Sequence, residues 1–235
     1  MISHQIPKMT RELLGAYCEA ALSNADELLV EASLLKDNGH NARAYFLAVA
    51  CIEEAGKALF AFDAQNRNLS APDVCAKLKA NMENHASKIT YALCSWAMSG
   101  SEPRKALQAA LDLMIDLKHG REPSMYSDLR SDPDRAQTPR EVVRATTARD
   151  CVRLAEHFLA YAHRHVREKT PFKITTAQDR LFTMKSAKFQ EMLNTEEFWW
   201  YYISRMEAGL QDIAEAVIGY ERDHIKTGRP FRPPE

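Results

Sequence analysis

Residues 41 to 63 read NARAYFLAVACIEEAGKALFAFD, and this stretch decides the fold. At the α-helical turn of roughly 100° per residue, Tyr45, Val49, Ile52, Leu59, Phe60 and the alanines cover most of the wheel. Arg43, Glu53, Glu54 and Lys57 share one sector roughly 100° wide. A helix apolar on most of its sides belongs in the middle of a bundle. Leu47, Ala50 and Ala61 fall in the same sector as the charges, so part of that stripe is covered as well. Burying an unpaired charge is costly, and the four charges are therefore expected to pair with one another or to face a wet cleft.

Outward from this rod, the chain continues to read as helix. A first helix is expected from Thr10 to Gly39, with Leu13, Leu14, Tyr17, Ala21, Leu28 and Leu35 on its inner face. Pro72 and Asp73 open a third that reaches about Ser99, and Pro103 opens a fourth that stops at Gly120, with Lys118 and His119 suited to its negative end. A loop rich in Pro, Ser and Asp runs from Arg121 to Gln137. Thr138-Pro139-Arg140-Glu141 is a capping box with Pro at the first helical position, and it starts a helix to about Lys169. Past Pro171 come a short helix, Thr176 to Leu193, and a long one, Thr195 to Lys226, which opens on Phe198, Trp199, Trp200, Tyr201 and Tyr202. These aromatics are read as core or dimer packing. The eight glycines and ten prolines fall between long helical stretches, and no strand is expected. The fold class is all-α: an antiparallel bundle over residues 1–169, with a C-terminal helical appendage, residues 170–235, packed on the same core.

Composition limits what such a bundle can do. A chain of 235 residues, 46% hydrophobic, buries a substantial core unaided. Thirty-one Lys and Arg against 32 Asp and Glu leave a net charge of −1, so no global field draws nucleic acid or an acidic membrane, and such contacts must be local. Cys18, Cys51, Cys75, Cys94 and Cys151 are odd in number, widely spaced and never in a C-x-x-C arrangement, which argues against a disulfide framework or a zinc site and reads as small buried hydrophobes in a reduced compartment. Met1 to Thr10 lack the apolar core of a signal peptide and no run of about 18 apolar residues exists, so the expected location is the cytoplasm, without membrane contact.

The third helix supplies a partner for the charged stripe. His85 sits within its apolar row of Val74, Leu78, Met82, Ile89, Leu93 and Trp96, with Lys88 on the flank. His85 is either a core histidine bonded to a neighbour such as Glu54 or a functional group, and the carboxylates either form a structural network with Arg43 and Lys57 or line a site.

Taken together, these residues resemble a known family. The run Ala42-Arg43-Ala44-Tyr45-Phe46-Leu47-Ala48, followed by Glu53-Glu54-Ala55-Gly56-Lys57, looks like the signature helix of the AbiV-type abortive-infection family. His85-Ala86-Ser87-Lys88, then Arg121 and the Tyr126-Ser127-Asp128 loop, match its later elements in order over roughly residues 10–169. The resemblance implies a HEPN-like bundle, usually dimeric, acting in bacterial defence against phage. Many HEPN proteins are metal-independent ribonucleases and others are inactive binding modules. Active ones usually carry an Arg, four to six intervening residues and a His, and no Arg here has a His at that offset. The nearest approach is Arg153 with His157, which share a basic face with Arg149 and Arg164. That face reads as solvated surface or, with His163, His165, Arg167 and Lys169, as an RNA-phosphate strip.

Cleavage of RNA requires a base for the 2′-hydroxyl, an acid for the leaving oxygen and cations for the phosphorane. His85 suits the first two because imidazole titrates near working pH. Glu54 is expected to orient His85 or Lys57, and Tyr126 to stack on a base or donate a proton. Arg43, Lys57, Lys88 and Arg121 are expected to hold phosphate, with Glu53 and Asp128 beside them. The competing reading is a non-catalytic module that binds a nucleotide, a host protein or a phage-encoded trigger. No cofactor is implied. A carboxylate-bridged metal site needs two Glu-x-x-His pairs, and the chain has one, Glu221 to His224.

Overall fold

The computed structural model describes residues 9–97, 99, 117, 119–129, 136–210 and 212–232. It resolves into two compact units, residues Met1–Gln65 with Lys79–Pro171, and residues Asn66–Leu78 with Phe172–Glu235.

In the first unit, α1 (Arg11–Asp37) starts where Thr10 Oγ1 accepts the Leu13 N–H at 3.1 Å. Three residues then turn the chain back into α2 (Asn41–Ala64), with Gly39 at φ 76°, a conformation open to a residue without a Cβ. The α1 face that packs is Leu14, Cys18, Ala21, Leu22, Ala25 and Ala32, while Leu13 and Tyr17 stay partly exposed, a correction to the expected inner face. Its small side chains let α1 lie close to α2. The rod itself is central as its pattern requires, packed against α1, α4 (His85–Ala97) and α6 (Ala145–Glu168), with fifteen of its residues buried.

The expected third helix is two helices, α3 (Pro72–Glu83) and α4, broken at Asn84. Asn84 caps α4, its Oδ1 accepting the Ser87 N–H at 2.9 Å. The expected fourth helix lies mostly outside the described residues. The expected strand-free loop contains a minimal antiparallel pair, β1 (Asp128–Leu129) with β2 (Ala136–Gln137). The capping box forms, Thr138 N–H donating to Glu141 Oε2 at 3.0 Å, but its helix α5 (Pro139–Val142) ends at once and α6 begins at Ala145.

The second unit holds α7 (Thr176–Thr183), α8 (Ser186–Leu193), α9 (Glu196–Glu207), α10 (Ile213–Tyr220) and a π turn, Glu221–Ile225. The expected short helix and the expected long one are thus each divided, the latter beside Gly209 at φ 90°. Phe198 and Tyr201 pack on Tyr220, whereas Trp199 and Trp200 remain exposed, so the aromatic cluster splits between core and surface. Buried Asp179 accepts Arg67 Nη1 at 2.9 Å and the Asn68 N–H at 2.8 Å, tying the 66–78 segment to α7. His224 of the Glu-x-x-His pair bonds the Arg229 carbonyl, and among the described residues no three His, Cys, Asp or Glu side chains are grouped to hold a metal. No helix among them is long and apolar enough to cross a membrane.

Candidate functional site

The hub is Glu53, only 4% exposed. The cap at Asn84 makes His85 the first residue of α4 and sends its ring towards α2, where Nδ1 lies 2.6 Å from Glu53 Oε2. Lys88, one turn on, brings Nζ to 3.3 Å from the same oxygen. Arg121, in the turn after residue 120, places Nε 2.9 Å from Glu53 Oε1 and its guanidinium carbon 5.1 Å from the centre of the Phe46 ring. That Arg121 contact is an ion pair without the alignment of a hydrogen bond.

Gly56 makes this approach available. A Cβ there would stand 3.0 Å from the Lys88 carbonyl carbon and 3.1 Å from Ala92 Cβ. The α4 backbone therefore crosses α2 one turn beyond Glu53, and a short carboxylate reaches it. The other end of α4 is held by a second buried network. Tyr91 Oη donates to Asp63 Oδ2 at 2.7 Å, His165 Nε2 lies 3.3 Å from Asp63 Oδ1, and Tyr161 Oη donates to the Ser95 carbonyl at 2.8 Å. His165 is thereby a buried residue and leaves the expected basic strip, and His163 is paired with Asp26. Arg149 and Arg153 do stay on the surface, both near Asp150.

The other expected site residues lie elsewhere. Glu54 points away from His85 and pairs with Lys57, whose ammonium sits 5.8 Å from the Tyr17 ring centre; burial pushes the Tyr17 hydroxyl up. The partner of His85 is Glu53, not Glu54, because successive helical residues diverge by about 100°. Tyr126 is 64% exposed, and no hydrogen bond joins its side chain to Glu53 or its partners among the described residues. Asp128 contributes its backbone to β1, and its side chain lies outside the description. Arg43 is exposed and lines a different cleft, beside Arg140 and Arg144. The residues missing from the sequence reading are Asn84, whose signal was an N-cap side chain three residues before a backbone donor, and Phe46 beneath Arg121.

One carboxylate against Lys88 and Arg121 leaves the cluster with surplus positive charge before His85 is counted. With Nδ1–H given to Glu53, Nε2 of the half-exposed His85 ring is an acceptor turned to solvent. An oriented imidazole beside two cations can exchange a proton with an anionic ligand.

A family model described as AbiV, of the HEPN class, matches residues 14–160, well over half of the chain. No curated protein and no solved structure matches.

Proposed function

Because the chain belongs to the AbiV family of HEPN proteins, of the abortive-infection type, we propose that it stops phage propagation by blocking translation through an action on RNA. The observation that carries this reading is the 2.6 Å contact between Glu53 and the half-exposed His85. Glu53 holds the imidazole as an orienting group, and His85 Nε2 takes the proton of an RNA 2′-hydroxyl. The 2′-oxygen attacks the adjacent phosphorus, the bond from phosphorus to the 5′-oxygen breaks, and the imidazolium returns the proton to that oxygen. A 2′,3′-cyclic phosphate and a 5′-hydroxyl result, with no net redox change. Arg121 and Lys88 stabilise charge on the phosphorane. The protein works in the cytoplasm as a homodimer, released by a phage-encoded trigger.

The test is cleavage of purified RNA by the wild type, His85→Ala and Glu53→Gln. Wild-type cleavage that disappears in His85→Ala, with the helical circular dichroism retained, is the expected result; unchanged cleavage sinks the assignment. A second reading, a non-catalytic module that binds a protein or nucleotide, is favoured by the missing Arg-to-His spacing. It prevails if the expressed wild type arrests growth while cellular RNA stays intact.

A further inference from the structure

Arg43 leads to a second site. It stands in the first turn of α2, ten residues and therefore ~15 Å along the axis from Glu53. It lines a cleft of ≈ 780 Å³ together with His40, Ser124, Met125, Arg140 and Arg144. That volume lies within the ~300–1,000 Å³ of small-ligand pockets. Among the described residues, no Asp or Glu lines the cleft.

Three guanidinium groups are therefore gathered with no counter-charge among the described lining residues. Some exposed arginines of this chain pair locally, Arg149 and Arg153 with Asp150, Arg167 with Glu168 and Arg222 with Asp223, whereas Arg11, Arg180 and Arg205 form no ion pair among the described residues. Among the described residues, Arg43, Arg140 and Arg144 have no such partner. Two 24-residue helices also begin here. The N-caps of α2 and α6 are His40 and Arg144, neither makes a side-chain cap bond, and neither first turn holds an acid. The chain places Thr10 with Glu12, Thr175 with Asp179 and Asp212 with Glu215 at the starts of α1, α7 and α10. The side-chain cap and the first-turn acid are thus both missing where the arginines gather, and two positive helix ends face the cleft. Met125 and Pro139 add apolar lining suited to a base or sugar.

We propose that this cleft is a phosphoanion site, taking the phosphate of a free nucleotide or of an RNA strand. It does not require that His85 cleave RNA, and it is read by binding without turnover. The probes are ATP and a short, fluorescently labelled single-stranded oligouridylate. Proteins compared are the wild type, Arg43→Gln with Arg140→Gln, and Arg149→Gln with Arg153→Gln, which removes the same charge from α6 outside the cleft. The wild type should bind at least one probe; the cleft pair should weaken that binding at least tenfold, and the α6 pair less than threefold. Displacement of the oligouridylate by ATP assigns the site to a nucleotide; RNA binding that ATP does not displace assigns it to a strand. Equal losses in both pairs, wild-type binding by the cleft pair, or no binding of either probe by the wild type overturns the proposal. Should the cleft pair fail to fold, arginine modification by phenylglyoxal decides the matter in the wild type. Bound probe should protect Arg43, Arg140 and Arg144 but not Arg149 and Arg153, and the reverse refutes the site.

Discussion

Replacing Glu53 by Gln tests the charge balance at the hub. Gln keeps the shape of the side chain and removes its charge, so Lys88, with a side chain 8% exposed, and Arg121 are left without an anion in a buried setting. Breaking a buried pair from one side costs about 3–5 kcal/mol. His85 is at the solvent edge, where water can replace the lost bond, so it adds little. Against a typical total of about 5–15 kcal/mol the loss is large. At about 2–4 °C per kcal/mol for a chain of this size, the thermal midpoint should fall by roughly 6–20 °C. Lys88→Met removes one of the two fixed cations and leaves Glu53 facing Arg121, so its loss should be nearer ~1 kcal/mol. The double variant should lose less than the sum of the singles by about 0.5–3 kcal/mol, since the uncompensated ammonium is gone. Urea unfolding followed by helical circular dichroism measures all four proteins. A loss under about 1 kcal/mol in Glu53→Gln, or additivity within about 0.5 kcal/mol, would refute the charge-balance reasoning.

Gly56→Ala should cost about 1–3 kcal/mol through the contact with the Lys88 backbone, despite the better helix propensity of Ala, and should shift the His85 ring resonances in NMR spectra. An unchanged stability would mean that α4 does not cross α2 at that point. Asp63→Ala leaves buried His165 and the Tyr91 hydroxyl short of a partner, an expected loss of about 1–3 kcal/mol by the same urea titration; a neutral result would make that network dispensable. Burial pushes the Cys18 thiol up to about 11 and the Cys51 and Cys151 thiols up to about 12. At pH 8 at most about one in a thousand of these is thiolate, so iodoacetamide should label exposed Cys94 first and those three only on unfolding, as read by peptide mass spectrometry. Raising the pH towards 11 favours the buried thiolates, and early labelling of Cys51 at pH 8 would contradict its packing.

Much of this molecule is legible in one dimension. The periodicity of residues 41–63 dictates a buried rod with a charged stripe, Thr10 dictates where α1 begins, and the ion pair of Glu54 with Lys57 follows from their three-residue spacing on that rod. The order of the Glu53, His85 and Arg121 elements carries the family. Three things waited for the tertiary structure. The break at Asn84 is hidden because the apolar row from Val74 to Leu93 keeps its period across it, and only a cap side chain marks the start of α4. Which of two adjacent glutamates meets His85 depends on where α4 crosses α2, and that crossing is set by Gly56 against the Lys88 backbone. Arg43 shares a sector of the helical wheel with Glu53, but a wheel discards distance along the axis. Ten residues of rise, ~15 Å, separate the two, so one stripe in sequence serves two places in the fold.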